Sequence, residues 1–412
     1  VECPAIKVAE GVNTTANLVN LKGSYNIMED GYQAVLHKST EGQILYDINS
    51  SVVKNSQLRS QSILELQEAL KEIAADERVT VTGTQIIAYA SPDGGEKLNA
   101  ELSDKRAGTA EKAWGKITKD GTKADEVQVK SIGQDWKGFQ EAISASDIAD
   151  KELILRVLSM YSDPAVRESE IRNMSKIYTE ISKNVFPELR RARFVTNYDF
   201  KNFTDEELVE LSNTAINVLD EPALLRVAGQ STDADRKVLL YNLAAEKFNS
   251  QKALYNLAAL YIAKNEPANA ERTLARLEDK NSAEVQNLLG VAAMLRSDYE
   301  AASKLLAKAG NAAAAQNLAA IDIYNGDYAA AASKLKNTTG TNAALANILN
   351  GDLKAASAAL TGDDALTNYL KAIVAARKGD VSAAKAALKL ATDKCPKLAE
   401  RAAKDIEFAT VR

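Results

Sequence analysis

The chain has 412 residues, 46% of them hydrophobic, a formal net charge of -5 and a pI near 5.4. That length and apolar content suffice for two or three domains with separate cores and exclude a globally disordered polypeptide. The acidic balance argues against a protein that holds nucleic acid by neutralising phosphates, and no apolar run approaches the roughly 20 residues of a membrane helix.

At the start, Val1-Glu2-Cys3-Pro4-Ala5-Ile6 has no basic region followed by an apolar core, so it does not read as a signal peptide, nor Cys3 as a lipidation site. Cys3 and Cys395 lie too far apart in sequence to suggest a disulfide framework or a metal pair, and Cys395 falls on a helical pattern as a core residue. Residues 1–42 alternate around Tyr25-Asn26-Ile27 and around Tyr32 to Leu36, with Glu29-Asp30-Gly31 between. The pattern predicts a β-hairpin with a glycine turn, either extending the next domain's sheet or left over from a preceding module.

Residues 43–200 read as strand, helix, strand, helix, strand. Ile44–Ile48 is the first strand; Ile63, Leu66, Leu70 and Ile73 share one helical face; Val79–Ala90 alternates as the second strand. Ser91-Pro92-Asp93-Gly94-Gly95 is rich in turn residues, and Asn99 is suited to cap the helix carrying Leu102, Arg106, Ala110, Ala113 and Ile117. Leu102 and Ala107 are expected to pack on the sheet. Lys119–Lys123 reads as a turn, Val127–Ile132 as the third strand, and Leu189-Arg190-Arg191-Ala192-Arg193-Phe194-Val195 as a late closing strand. Residues 135–187 between them form a helical insertion within one domain.

Strand signals vanish over residues 201–412. Thr204, with Glu207 three positions on, marks a helix start. Asn256-Leu-Ala-Ala-Leu-Tyr261, Asn287-Leu-Leu-Gly-Val-Ala292 and Asn317-Leu-Ala-Ala-Ile-Asp322 recur at spacings of 31 and 30 residues. A polar turn and a second alanine-rich helix follow each, as at Asp298-Tyr299, Gly326-Asp327, Gly351-Asp352 and Gly379-Asp380. One such helix pair cannot bury its apolar face alone, so stacked pairs must share a continuous core. Tyr255, Tyr261, Tyr299, Tyr324 and Tyr328 serve either that packing or a partner surface.

Chemistry-bearing constellations are sparse. His37 is the only histidine, and the sequence has no Cys-x-x-Cys, no His-Glu-x-x-His and no glycine-rich phosphate loop. Paired carboxylates such as Glu206-Glu207 fall on a many-charged helix and read as a solvated face. A non-enzyme without metal or cofactor is expected; a wall or glycan hydrolase would require acid and base carboxylates in one cleft.

The stretch Ala88-Tyr-Ala-Ser-Pro-Asp-Gly-Gly-Glu-Lys-Leu-Asn99 with Leu102-Ser-Asp-Lys-Arg106-Ala107 resembles the signature of the OmpA-like domain, over roughly residues 43 to 200. The repeats resemble the tetratricopeptide type, though shorter than the usual 34 residues. Such a combination looks like those of Bacteroides-type envelopes. The fold class implied is α+β, an OmpA-like β-α-β-α-β core with inserted helices, plus an all-α tetratricopeptide-like superhelix. The OmpA-like resemblance further implies a periplasmic, outer-membrane-associated protein that binds the diaminopimelate-containing stem peptide of peptidoglycan. Arg106 matches the family arginine that takes the carboxylate. Ser91 stands where the family has the aspartate that takes the amine, and Asp93 is the substitute carboxylate on the same loop. Ser91, Asp93, Gly94, Asn99 and Arg106 thus form the ligand set, with Arg191 and Arg193 as secondary basic candidates, or else as charges protecting an edge strand. The repeats imply unidentified protein partners. The alternative is an adaptor whose OmpA-like domain has lost wall binding, leaving the helical parts as working surfaces.

Overall fold

The structure is a computed structural model and describes residues 14–118, 126–148 and 150–411, the side chain of Ser175 excepted. Cys3 and the Lys119–Lys123 turn lie outside the described residues. The chain forms two compact units, Gln33–Thr204 and a second that joins residues up to Tyr32 with those from Asp205 onward.

The Gln33–Thr204 unit runs β1 (Val35–Leu45), α1 (Gln61–Ala75), β2 (Val79–Ala90), α2 (Glu96–Ile117) and β3 (Val127–Gln134). Inserted helices α3 (Trp136–Ala145), α4 (Lys151–Met160), α5 (Pro164–Asn173), α6 (Ser175–Asn184) and α7 (Phe186–Leu189) precede β4 (Arg191–Lys201). The sheet order is β1-β4-β2-β3, with β4 antiparallel to both neighbours and β2 parallel to β3. Alternation sends Ile44, Ile86, Ala88, Ala192 and Phe194 to one face, where they meet Ile63, Leu66 and Leu70 of α1 and Ala107, Ala110 and Trp114 of α2. Trp114 stacks on Phe194 at 5.5 Å between ring centroids. The inserted helices bury a core of their own around Phe139, Ile143, Ile154, Ile181 and Phe186.

Three expectations change here. Residues 14–32 contain no strand, so Tyr25–Ile27 and Tyr32–Leu36 form no hairpin; Val35 and Leu36 instead begin β1, which pairs with β4 along its length and starts before Ile44. The closing strand is not an edge: β4 lies between β1 and β2. In α2 the buried stripe runs through Asn99, Ser103, Arg106, Ala107, Ala110, Ala113 and Ile117, so Ala107 packs as expected while Leu102 sits half-exposed beside it.

The second unit is helical: α8 (Asp205–Thr214), α9 (Glu221–Gln230), α10 (Ala234–Phe248), α11 (Gln251–Ala263), α12 (Pro267–Leu274), α13 (Ala283–Leu295), α14 (Tyr299–Ala309), α15 (Ala312–Asn325), α16 (Tyr328–Lys334), α17 (Thr341–Leu349), α18 (Leu353–Ala359), α19 (Ala365–Arg377), α20 (Val381–Lys394) and α21 (Lys397–Lys404). From α11 onward, helices pair into hairpins closed by one recurring turn. The amides of Glu266, Asp298, Asp327, Asp352 and Asp380 each donate to the carbonyl five residues back. A left-handed residue precedes each: Asn265, Ser297, Gly326, Gly351 and Gly379. The carboxylates of Asp298, Asp327, Asp352 and Asp380 then accept from the amides of Ala301, Ala330, Ala355 and Ala383, so the residue closing one helix caps the next. Small buried side chains such as Ala302, Ala331, Ala356 and Ala384 follow each cap and admit close helix approach. First helices α11, α13, α15, α17 and α19 lie side by side.

Candidate functional site

The loop between β2 and α2 folds as a closed set of hydrogen bonds. Ser91 Oγ donates to Asp93 Oδ1 at 2.5 Å and accepts from Arg190 Nε at 3.2 Å, while Arg190 Nη2 reaches Asp93 Oδ2 at 2.9 Å. The N-cap of α2 is Gly95, so Asn99 does not cap the helix. Buried in its first turns, Asn99 donates through Nδ2 to the carbonyls of Ser91 at 3.1 Å and Gly94 at 2.8 Å. Gln134 also donates to the Gly94 carbonyl, and Arg172 of the insertion to that of Asp93.

Arg106 is 0% exposed. Its Nε donates to the Ser50 carbonyl at 2.9 Å, Nη1 to that of Tyr89 at 2.9 Å and Nη2 to that of Asp47 at 3.1 Å, with the guanidinium 5.0 Å from the Tyr46 ring centre. Burial pushes its pKa down to about 10, against the opposing pull of Tyr46, so the group stays charged at neutral pH. A pocket with this arginine open to a carboxylate is therefore not what α2 builds, because its donors are turned to backbone. Ser91, Asp93, Gly94 and Asn99 do come together, but around Arg190 rather than Arg106. Arg191 pairs with Asp135 at 2.8 Å and lies over Tyr89, and Arg193 pairs with Glu41, so both are engaged within the unit.

The second unit contains a different arrangement of polar side chains. Residues 14–32 run along the first helices of the hairpins, and asparagines from those helices bond their backbone. Asn256 accepts from the Met28 amide at 2.8 Å and donates to the Met28 carbonyl at 2.9 Å. Asn317 does the same at Ser24, at 2.6 and 2.9 Å, while Asn287 adds a second donor to the Ser24 carbonyl at 2.9 Å. Asn342 grips Asn20 through its amide at 2.8 Å and its carbonyl at 2.9 Å. Arg401 donates to the Thr14 carbonyl, Thr15 donates to Glu407, and Asp30 lies 3.6 Å from Arg226 at the opposite end.

The segment therefore crosses the hairpins in the reverse of their sequence order, one gripped residue in every four. Gly23 has φ +85°, and a Cβ there would collide with the Val291 side chain. A polar cleft of about 240 Å³ remains beside Asn20 and Ser24, flanked by Gln316, Thr339 and Asn342. Sequence reasoning aligned Asn256, Asn287 and Asn317 as repeat landmarks without assigning them a role. The available signal was a poor helix former recurring inside apolar helices, where it is at most 3% exposed in the fold. Of the repeat tyrosines, Tyr255 is buried, while Tyr299 and Tyr324 contact each other at 4.5 Å with Tyr324 largely exposed.

No family model matches the chain, and no curated protein does. Among solved structures, a tetratricopeptide repeat protein from Parabacteroides merdae ATCC 43184 is similar over 46% of this chain and 85% of that one, at 15% identity and a TM-score of 0.35. The APC/C hetero-tetramer Cut9-Hcn1 is similar over 62% of this chain and 56% of the other, at 13% identity and a TM-score of 0.40.

Proposed function

We propose that this chain is a non-enzymatic adaptor that gathers partner proteins along a tetratricopeptide-like array. In this reading it works in the periplasm of a didermic bacterium, associated with the outer membrane, and its α/β unit is an OmpA-like domain with a helical insertion that no longer holds peptidoglycan. The observation that carries it is the row of buried asparagine amides engaged with extended backbone, a surface that already binds polypeptide. The Ser91–Asp93–Arg190 cluster supports the loss of wall binding, since an internal guanidinium takes the carboxylate that an incoming amine would need. Among the described residues no cluster of metal ligands occurs and no helix is long and apolar enough to cross a membrane. His37 bonds Asp199 on an exposed strand position, without a neighbouring nucleophile in that pair.

Two measurements test this reading. The native protein is expected to stay in the supernatant when purified peptidoglycan is sedimented; co-sedimentation competed by free diaminopimelate would replace the adaptor with a wall tether. Photo-crosslinking from position 324, exposed on the array, is expected to give discrete protein adducts in the native host. Their absence would remove the adaptor reading.

A further inference from the structure

We propose that the asparagine row is a peptide-binding site for an extended partner segment of the form apolar-apolar-x-apolar-x-Gly-Ser, and that residues 18–24 are its in-chain occupant, which a partner must displace. The inference rests on the adaptor reading and specifies its ligand.

Every bond the row makes to the segment falls on backbone, while Asn317 Nδ2 also donates to Asn287 Oδ1 at 2.9 Å within the row. Asn256, Asn317 and Asn342 each offer one acceptor and one donor to the amide and carbonyl of a single residue, a pairing that requires extended chain and ignores side-chain identity. A step of four extended residues spans about 13 Å, and the three gripped residues serve four first helices, Ser24 being shared by Asn317 of α15 and Asn287 of α13. Side-chain selection comes from elsewhere. Leu18 and Val19 pack on the cluster around Ile348 and Tyr369, and Leu21 on that around Ala293 and Ile321. At Gly23 the approach to Val291 admits no larger residue.

The occupant is held like a ligand rather than like a core element. Within residues 14–32 only Thr15 is buried, and the rest are half-buried or exposed. Water can therefore replace its bonds one grip at a time, which places this segment at the low-stability end of the unit. The asparagines are the reverse: Asn256, Asn287 and Asn317 are buried, and departure of the segment removes their backbone partners, leaving only the Asn317–Asn287 bond and the bond of Asn256 with Tyr241, so that another extended backbone restores what is lost in the same geometry. An in-chain occupant also lowers the apparent affinity of a competing peptide by the fraction of time the site stands open. The partner that succeeds is one supplying the same apolar spacing and glycine at high local concentration.

The test uses the full chain and a fluorescent synthetic peptide of residues 14–32. Ser24→Pro in the chain removes the amide that donates to Asn317, and Gly23→Val, a second variant, blocks the approach to Val291. Peptide binding to either variant is expected to be at least tenfold tighter than to the native chain. It should weaken at least tenfold again when Asn256→Ala and Asn317→Ala are added, and a peptide carrying Gly23→Val should not bind. Equal affinity for native and variant chains, or equal binding of a scrambled peptide, overturns the inference. If those results appear while crosslinks from position 324 persist, the adaptor reading survives without this ligand; peptide binding without crosslinks overturns the adaptor reading instead.

Discussion

Asn256 and Met28, 228 residues apart in sequence, exchange two hydrogen bonds through one side-chain amide. The pair anchors one end of the N-terminal segment on α11. Asn256→Ala removes both bonds and is expected to cost about 1–2 kcal/mol, since the freed Met28 groups are half-exposed and regain water. Hydrogen exchange should show the Met28 amide released first. Asn256→Asp keeps the acceptor for the Met28 amide but turns a charged oxygen on its carbonyl, so it should release the segment at least as fully.

Arg106 is expected to matter for stability. Arg106→Met fills similar space at this buried position but leaves the carbonyls of Asp47, Ser50 and Tyr89 without these charged donors, at a cost of about 2–3 kcal/mol because the carbonyls of half-buried or exposed residues regain some water. Arg106→Lys cannot span all three acceptors and should recover only part of the loss. Both tryptophans, Trp114 and Trp136, lie in the α/β unit, so fluorescence-monitored denaturation reads this effect on that unit alone.

At the hairpin turns, Ser297 occupies the left-handed position that Gly326, Gly351 and Gly379 fill elsewhere. Ser297→Gly relieves that backbone cost and should raise stability by about 0.5–1 kcal/mol after the added freedom of the unfolded chain is subtracted. Gly351→Ala should lower it by about 1 kcal/mol. Thermal melts of the two variants are expected to move in opposite directions.

Burial raises the Tyr255 pKa to about 12, with Glu284 and Tyr25 adding to the rise. Because the folded value exceeds the ordinary value of 10, the unfolded chain loses this proton first as pH climbs. The associated stabilisation is complete below pH 10 and disappears between pH 10 and about 12, an amount of roughly 2–3 kcal/mol. Tyr369, raised by burial and by its hydrogen bond to Asp405, adds a slope of the same sign. Denaturation measured from pH 9 to 12 should therefore show a steeper alkaline loss for the native chain than for Tyr255→Phe.

Much of the architecture was legible because it depends on periodicity. Ile63, Leu66, Leu70 and Ile73 bury as one face of α1, and the spacing of Asn256, Asn287 and Asn317 marks three successive first helices. The N-terminal segment was not legible for a physical reason: alternation around Tyr25 and Ile27 specifies extended chain, but not whether a strand or a row of side-chain amides satisfies it. Asn99 misled similarly, since a residue suited to capping serves equally well to tie a loop from inside the helix. Arg190 reads in sequence only as part of the closing-strand stretch, yet its partner Asp93 lies 97 positions away. Local pattern reasoning has no access to that proximity.

The four-residue interval from Asn20 to Ser24 and from Ser24 to Met28 gives the segment a fixed phase against the helices. One added residue between Asn20 and Ser24 would let either portion dock in phase but not both, while neutral changes of side chain at exposed positions such as Lys22 or Asn26 would pass unnoticed. Descendants of this sequence would then keep the count of residues between these contacts more strictly than their identity.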